Sequence, residues 1–241
     1  TANYLKKKFE NVLLIDKGNA YQSYTKKHPG DEFLYKWNNS GINSTLYKNQ
    51  VSFASGSCLG GGSEINSGLL HLPDDYFINE WKKEFNVKDI DTKTINNDLK
   101  ELLNEEVKIE VIESEKQNLS AKVFLEAIKK NKLNYEELFK FESSEDGMLK
   151  KSTMTKTLIS NFIKKKGSIL VKFNVDKIFK NKNNWVVRGV KSKKKISFKS
   201  KYIFLCAGSI YTNQLLIQNK LTKLKETNSF KFHPMIKVIA E

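Results

Sequence analysis

Residues 56–71, GSCLGGGSEINSGLLH, concentrate glycine and small polar side chains in a chain that is otherwise rich in lysine and asparagine. Three consecutive glycines at 60–62 allow backbone conformations closed to other residues and let a flat ligand lie against the main chain. Ser63 and Asn66 can hydrogen-bond such a ligand. A flexible linker is the alternative, but apolar residues interrupt the run. The segment is therefore predicted to be a packed, ligand-binding turn that leads into a helix.

Asp16 is a second candidate, because it directly follows the apolar run at residues 12–15. In a dinucleotide-binding βαβ unit, a glycine-rich turn after the first strand receives the pyrophosphate. An acidic residue about 20 positions later binds the ribose hydroxyls. Asp16 lies where that acidic residue belongs, and a loop-capping carboxylate is the alternative. The same spacing places the first strand and its glycine loop before Thr1.

The three histidines form no pattern typical of a metal site or a catalytic pair. His28 lies in a predicted turn, His71 follows the glycine segment, and His233 precedes Pro234. A lone histidine can titrate near neutral pH but is more often structural than catalytic. Proton transfer by His71 or His233 stays an alternative, and no metal site is predicted.

The charge of the chain invites a nucleic-acid interpretation, which the composition disfavours. The net charge is +15, but Arg188 is the only arginine and the lysines are spread along the whole sequence. Phosphate recognition favours the planar, bidentate guanidinium group of arginine. Most of the lysines are therefore predicted to lie on solvated surfaces, with no specific nucleic-acid partner.

The elements around these candidates predict an α/β fold. We expect a helix at residues 1–9, a buried parallel strand at 12–15, an irregular connection at 19–55, helices over 73–141 with Ser120 as a possible N-cap, and a helix at 152–166 that Gly167 ends. Residues 168–200 read as a small antiparallel excursion. The apolar run from Tyr202 to Cys206 is predicted to be a returning strand, followed by a glycine turn and a helix.

Four stretches, in this order, resemble the glucose/methanol/choline (GMC) family of FAD-dependent oxidoreductases. NVLLIDKG is similar to the second Rossmann strand of that family, and LGGGSEIN to its first signature, approximately LGGSSAIN. PDDYFINEW and YIFLCAGSIYTNQLLIQN are similar to the stretch after the first signature and to the second signature. The resemblance implies a Rossmann-like FAD-binding domain with a parallel central sheet, an antiparallel excursion and a helical insertion. We expect residues 1–72 and 151–241 to form the FAD-binding parts and the start of the substrate domain, and 73–150 the insertion.

The resemblance also implies individual roles. Asp16 would bind the adenosine ribose of FAD, and Val175 would contact the adenine through its backbone. The remaining expected FAD-binding residues lie in the two signatures: Gly60, Gly61, Ser63, Asn66, Ala207 and Gly208. His233 and Pro234 look like the His-Pro pair at the end of the N-terminal region of the family.

Several positions depart from the family pattern: Gly62, Glu64, Asn213 and Asn219. Glu64 is the most consequential, because a carboxylate beside a dianionic pyrophosphate is repelled unless it points outward. Glu64 is therefore not predicted to bind the cofactor, and the local geometry is left open.

The function implied is oxidation of a CH–OH group of an alcohol, sugar or sterol, with hydride transfer to flavin and an unknown electron acceptor. No residue matches the histidine base of the family, so the base is expected beyond Glu241 and the chain is expected to be an incomplete, inactive piece. Two alternatives stay open: another Rossmann flavoprotein that uses NAD(P)H, and a non-catalytic basic module for RNA, DNA or anionic surfaces. A cytoplasmic location is expected, because no apolar run is long enough to span a membrane and the two cysteines are read as reduced, buried thiols.

Overall fold

The computed structural model describes residues 1–20, 29–46, 50–70, 72–105, 107, 119–135, 139–145 and 148–222. The chain divides into two compact units, Thr1–Val171 and Lys172–Glu241. His28, His71, His233 and Pro234 lie outside the described residues. The three-part division expected from the sequence stays a prediction.

The first unit contains seven of the helices found in the described residues and six of the strands. The helices are α1 (Ala2–Lys8), α2 (Pro29–Lys36), α3 (Gly62–Ile65), α4 (Asp75–Phe85), α5 (Thr92–Glu105), α6 (Leu119–Lys130) and α7 (Leu158–Lys164), with a 3-10 turn at Asn38–Gly41. The strands are β1 (Leu13–Ile15), β2 (Leu69–Leu70), β3 (Phe139–Lys140), β4 (Glu142–Glu145), β5 (Met148–Lys151) and β6 (Ser168–Leu170). None of the described helices is both long and apolar enough to cross a lipid bilayer.

The parallel strand predicted before Asp16 is confirmed, but it is not buried, since Leu13 is exposed and Leu14 and Ile15 are half-buried. β1 pairs in parallel with β6, with Leu14 opposite Ile169. The amide of Asp16 donates to the carbonyl of Leu170 at 2.9 Å, which extends the ladder by one bond. Below this pair, α1 packs against α7, and Phe162 on α7 is fully buried. The hydrogen bond from Asp16 to Leu170 fixes the carboxyl end of β1, and with it the start of the Asp16 turn.

Helix α4 begins and ends as its sequence indicates. The side chain of Asp74 accepts a hydrogen bond from the amide of Phe77 at 3.1 Å, as an N-cap does. At the other end Asn86 takes a left-handed conformation, with φ of 52°, which asparagine tolerates better than most residues. The helices predicted between residues 73 and 141 are confirmed in α4, α5 and α6, but Ser120 lies inside α6 and is not its N-cap.

The irregular connection predicted for residues 19–55 is wrong in part, because α2 lies within it. The sequence HPGDE was interpreted as a turn, yet Pro29 occupies the first position of the helix. Proline is favoured there because its missing N–H has no helical partner at that position. Asp31 and Glu32 in the first turn add a favourable interaction with the helix dipole.

The helix predicted at residues 152–166 is shorter, since α7 begins only at Leu158. Just before α7, the hydroxyl and the amide of Thr157 both donate to the carbonyl of Thr153, at 2.8 Å and 3.1 Å. Side-chain bonds of this kind compete with regular helix formation. Gly167 does follow the end of the helix, and a Cβ built on it would lie 2.3 Å from the ring of Phe162.

The second unit is an antiparallel sheet and a helix, as predicted, but residues 168–170 of the predicted antiparallel excursion form β6 and pair in parallel with β1. Its elements are β7 (Asn174–Asn181), β8 (Asn184–Lys191), β9 (Lys194–Ser200) and α8 (Gly208–Gln218). β8 is the central strand and pairs with both neighbours. Phe173 is fully buried and meets Phe198 edge to face, with ring centroids 5.6 Å apart. Ile178 and Val187 are also buried and complete this small core.

The strand predicted from Tyr202 to Cys206 is wrong: these residues form no strand and pair with no other described strand. A strand requires hydrogen bonds from a neighbouring chain segment, which an apolar sequence cannot supply alone. Tyr202 and Phe204 are 52 % and 54 % exposed, so the run is not buried either. Cys206 is exposed, contrary to the expectation of two buried thiols, whereas Cys58 is buried.

Candidate functional site

The glycine segment forms a tight turn that leads directly into α3, as predicted. Gly60 and Gly61 have φ values of 94° and 59°, in the region that disfavours side chains. The amide of Gly61 donates to the carbonyl of Cys58 at 2.8 Å. The hydroxyl of Ser63 donates to the carbonyl of Gly60 at 2.8 Å and accepts from the amide of Met154 at 3.2 Å. We call residues 58–66 the glycine turn.

Asp16 begins a second turn at the carboxyl end of β1. Its Oδ1 accepts a hydrogen bond from the amide of Gly18 at 2.7 Å. Burial raises the pKa of Asp16, while the bond from Gly18 and the charge of Lys17 act in the opposite direction. The turn therefore holds a half-buried carboxylate in a fixed orientation.

These two turns lie side by side. The amide of Leu59 donates to the carbonyl of Asn19 at 3.0 Å, and Asn19 and Cys58 form a parallel bridge. Gly18 is buried, and a Cβ built on it would lie 2.3 Å from the carbonyl oxygen of Ser57. The structure thus brings together four residues predicted to bind FAD, namely Gly60, Gly61, Ser63 and Asn66, in the turn that packs against the segment beginning at Asp16.

Glu64 does not lie on the open side of the glycine turn. Its Oε1 accepts hydrogen bonds from the hydroxyl of Thr155 at 2.7 Å and from the amide of Thr155 at 3.2 Å. The question left open by the sequence has a clear answer, because the carboxylate folds back beneath Gly60. Its charge is engaged by hydrogen bonds within the protein.

Lys151 secures the far end of the glycine turn. Its ammonium group donates to the carbonyl of Glu64 at 3.1 Å and to the carbonyl of Asn66 at 2.7 Å. Partial burial is the largest influence on the pKa of Lys151 and lowers it. Sequence reasoning did not find Lys151 or Thr155, since nothing in their neighbourhood marks a contact with residues more than 80 positions earlier.

The exposed side of the glycine turn fits a ligand that approaches the bare backbone. A Cβ placed on Gly61 or Gly62 would meet no described atom within 4 Å. Cys58 lies buried below the turn, where burial is the main cause that raises its pKa to about 11. A neutral thiol, a Glu64 carboxylate bonded to Thr155 and an open backbone suit the diphosphate of a dinucleotide.

Three residues predicted to bind FAD lie in the second unit, one on β7 and two at the start of α8. Val175 is half-buried on β7, opposite Gly189 on β8, beside a register shift. Ala207 precedes α8, and its amide donates to the hydroxyl of Thr212 at 3.1 Å. Gly208, with φ of 81°, opens the helix. Gly208 lines an open cavity of about 450 Å³, whose other lining residues are Leu205, Cys206, Ser209, Thr212 and Asn213.

The described part of the chain contains no evident metal-binding site. No group of three or more His, Cys, Asp or Glu side chains there is arranged to hold an ion.

Comparison with known proteins identifies the family of the chain. The model of the GMC oxidoreductase family matches residues 32–235. A 77-residue stretch, 32 % of this chain, is 25 % identical to the uncharacterized GMC-type oxidoreductase y4nJ of Sinorhizobium fredii (strain NBRC 101917 / NGR234). That stretch covers 15 % of the length of the relative. Because the family match spans most of the sequence and includes the glycine turn, the chain belongs to the GMC oxidoreductase family, a family of flavin-binding oxidoreductases.

Proposed function

We propose that this chain supplies part of an FAD site, and that the protein oxidises a CH–OH group of a small alcohol, sugar or sterol. The observation that carries the proposal is the packing of the Asp16 turn against the glycine turn. A carboxylate for ribose hydroxyls and a bare backbone for a diphosphate are the two features that dinucleotide binding requires.

Each residue of the first unit has a defined part in this proposal. Asp16 accepts hydrogen bonds from the ribose hydroxyls of the adenosine. Gly60 and Gly61 let the diphosphate approach the main chain, and Ser63 holds the turn through its bonds to Gly60 and Met154. Asn66 closes the turn, with its side-chain oxygen accepting from the amide of Gly68 at 3.1 Å. When bound, FAD supplies the hydride acceptor, and the protein supplies orientation and electrostatics.

The second unit carries proposals of its own. Val175 contacts adenine through its backbone, and Ala207 and Gly208 lie near the cofactor, as the family resemblance implies. The open cavity lined by Gly208 and the hydroxyl of Thr212 offers room and a polar group for such a contact.

The test is to express the complete reading frame that contains this chain and to purify the protein with FAD. A flavin absorption spectrum that survives gel filtration supports the proposal, whereas a colourless protein that takes up no FAD contradicts it. Anaerobic addition of primary and secondary alcohols then separates the activities. Bleaching of the flavin by an alcohol supports CH–OH oxidation, and bleaching only by NAD(P)H indicates a different flavin reductase.

A further inference from the structure

We propose that Glu64 and Thr155 are positioning residues for the flavin cofactor. Together they hold a carboxylate behind the glycine turn, where it fixes the turn without repelling the diphosphate. This inference rests on the proposed FAD site, and it concerns a position at which the sequence departs from the family pattern.

The side chain of Glu64 fills the space behind Gly60. A Cβ built on Gly60 would lie 2.5 Å from Glu64 Oε1, so the carboxylate contacts the backbone of the turn directly. No side-chain atom of Glu64 lies within 4 Å of the Cβ positions of Gly61 or Gly62. The charge is therefore on the Gly60 side and away from the open backbone.

Thr155 holds the Glu64 carboxylate on this side by donating two hydrogen bonds to one of its oxygens. The hydroxyl lies 2.7 Å and the amide 3.2 Å from Glu64 Oε1. Since a hydroxyl has one hydrogen to donate, the hydrogen bond between Thr155 Oγ1 and Thr153 Oγ1, at 2.9 Å, takes its hydrogen from Thr153. The chain of bonds thus runs in one direction, from Thr153 through Thr155 to Glu64. Hydrogen bonds to an ionised acceptor are stronger than neutral ones.

This arrangement predicts a specific electrostatic effect. Without the hydroxyl of Thr155, the carboxylate of Glu64 loses its shorter bond and gains freedom to turn toward the open backbone. A carboxylate there repels a diphosphate, and the turn loses an anchor at the same time. FAD affinity should fall for both reasons, and the repulsive part should weaken as salt rises.

The experiment compares FAD dissociation constants of the full-length protein by flavin fluorescence, at low and high salt. Thr155→Val should weaken FAD binding about tenfold, the effect of losing roughly one charged hydrogen bond. Thr155→Ser keeps the hydroxyl and should bind like wild type. Thr157→Val is the matched control, because the hydroxyl of Thr157 bonds the carbonyl of Thr153 and does not contact Glu64.

Substitution of Glu64 separates positioning from packing. Glu64→Gln keeps an oxygen acceptor but no charge, so when it is added to Thr155→Val it should recover the part of the loss that repulsion causes. Glu64→Asp keeps the charge on a shorter side chain that does not reach Thr155, so it should weaken binding as Thr155→Val does. A merely structural role would not produce rescue by removal of a charge.

The outcomes are distinguishable from failure of the proposed function. Wild-type protein that binds no FAD overturns the FAD site itself. Wild-type protein that binds FAD, together with Thr155→Val and Glu64→Asp proteins that bind it equally well, overturns the positioning role. If Thr155→Val does not fold, Glu64→Asp and Glu64→Gln decide the question, because equal affinity in those two variants contradicts the inference.

Discussion

Gly18 lies directly against Ser57, so closely that a Cβ on Gly18 would be 2.3 Å from the carbonyl oxygen of Ser57. This contact joins the turn that begins at Asp16 to the segment that leads into the glycine turn. The two halves of the candidate site are about 40 residues apart in sequence and meet at this point. Only glycine permits so close an approach.

The first prediction follows from that contact. Gly18→Ala should lower the free energy of unfolding by about 1–3 kcal/mol, because the added methyl group must push the two turns apart. FAD binding should weaken in the same variant. Gly30→Ala is the matched control, since a Cβ on Gly30 meets no described atom within 4 Å. Chemical denaturation measures both variants, and equal stability of the two would contradict the packing described here.

The second prediction concerns the charge of Asp16. Asp16→Asn keeps an oxygen that can accept from the amide of Gly18. Because burial raises the pKa of Asp16, the folded protein binds its proton more tightly than the unfolded chain does. Wild-type stability relative to Asp16→Asn should then fall as pH rises from below the ordinary value of 3.8 through the raised pKa.

At neutral pH the apo form of Asp16→Asn should therefore be at least as stable as wild type, while its FAD affinity is lower. Thermal unfolding without cofactor and fluorescence titration with FAD provide the two readings. A loss of apo stability at neutral pH, or unchanged FAD affinity, would show that Asp16 serves the fold and not the ribose.

The third prediction compares neighbouring glycines. Gly60→Ala should destabilise the protein by about 1–3 kcal/mol, because φ is 94° and the methyl group would meet Glu64. Gly62→Ala should leave the free energy of unfolding nearly unchanged, since a Cβ there meets no described atom within 4 Å and φ is not positive. Denaturation midpoints for the pair test this, and a larger loss in Gly62→Ala would contradict the orientation of the turn.

The fourth prediction concerns the two cysteines. The pKa of Cys58, raised to about 11, leaves roughly a hundredfold less thiolate at mildly alkaline pH than the ordinary value of 9.0 does. Cys58 is also buried, whereas Cys206 is exposed. A thiol-specific alkylating reagent should therefore modify Cys206 first in the native protein, and Cys58 only after unfolding. Peptide mass mapping shows the order in which the two cysteines are modified, and Cys206→Ser provides the control.

The local sequence was sufficient to identify much of the framework. Hydrophobic periodicity and the residues typical of turns predicted α1, β1, the helices after residue 73, the antiparallel sheet and α8. Helices and strands each impose a repeat of apolar residues that is visible over a few positions of the sequence. The same local signal misassigned residues 29–36, where Pro29 starts a helix that was read as a turn. It also misassigned Tyr202 to Cys206, because an apolar run does not reveal whether a pairing partner lies beside it.

The sequence by itself determined the family and the identity of the turn, since LGGGSEIN needs glycine at positions that reach positive φ. Tertiary structure alone decided where the charges of that turn point. Glu64 faces inward because Thr155, 91 residues later in the sequence, donates hydrogen bonds to its carboxylate. Lys151 donates to the carbonyls of Glu64 and Asn66, which are 87 and 85 residues earlier in the sequence. Contacts at such separations depend on the packing of whole elements, and no short-range pattern of residues encodes them.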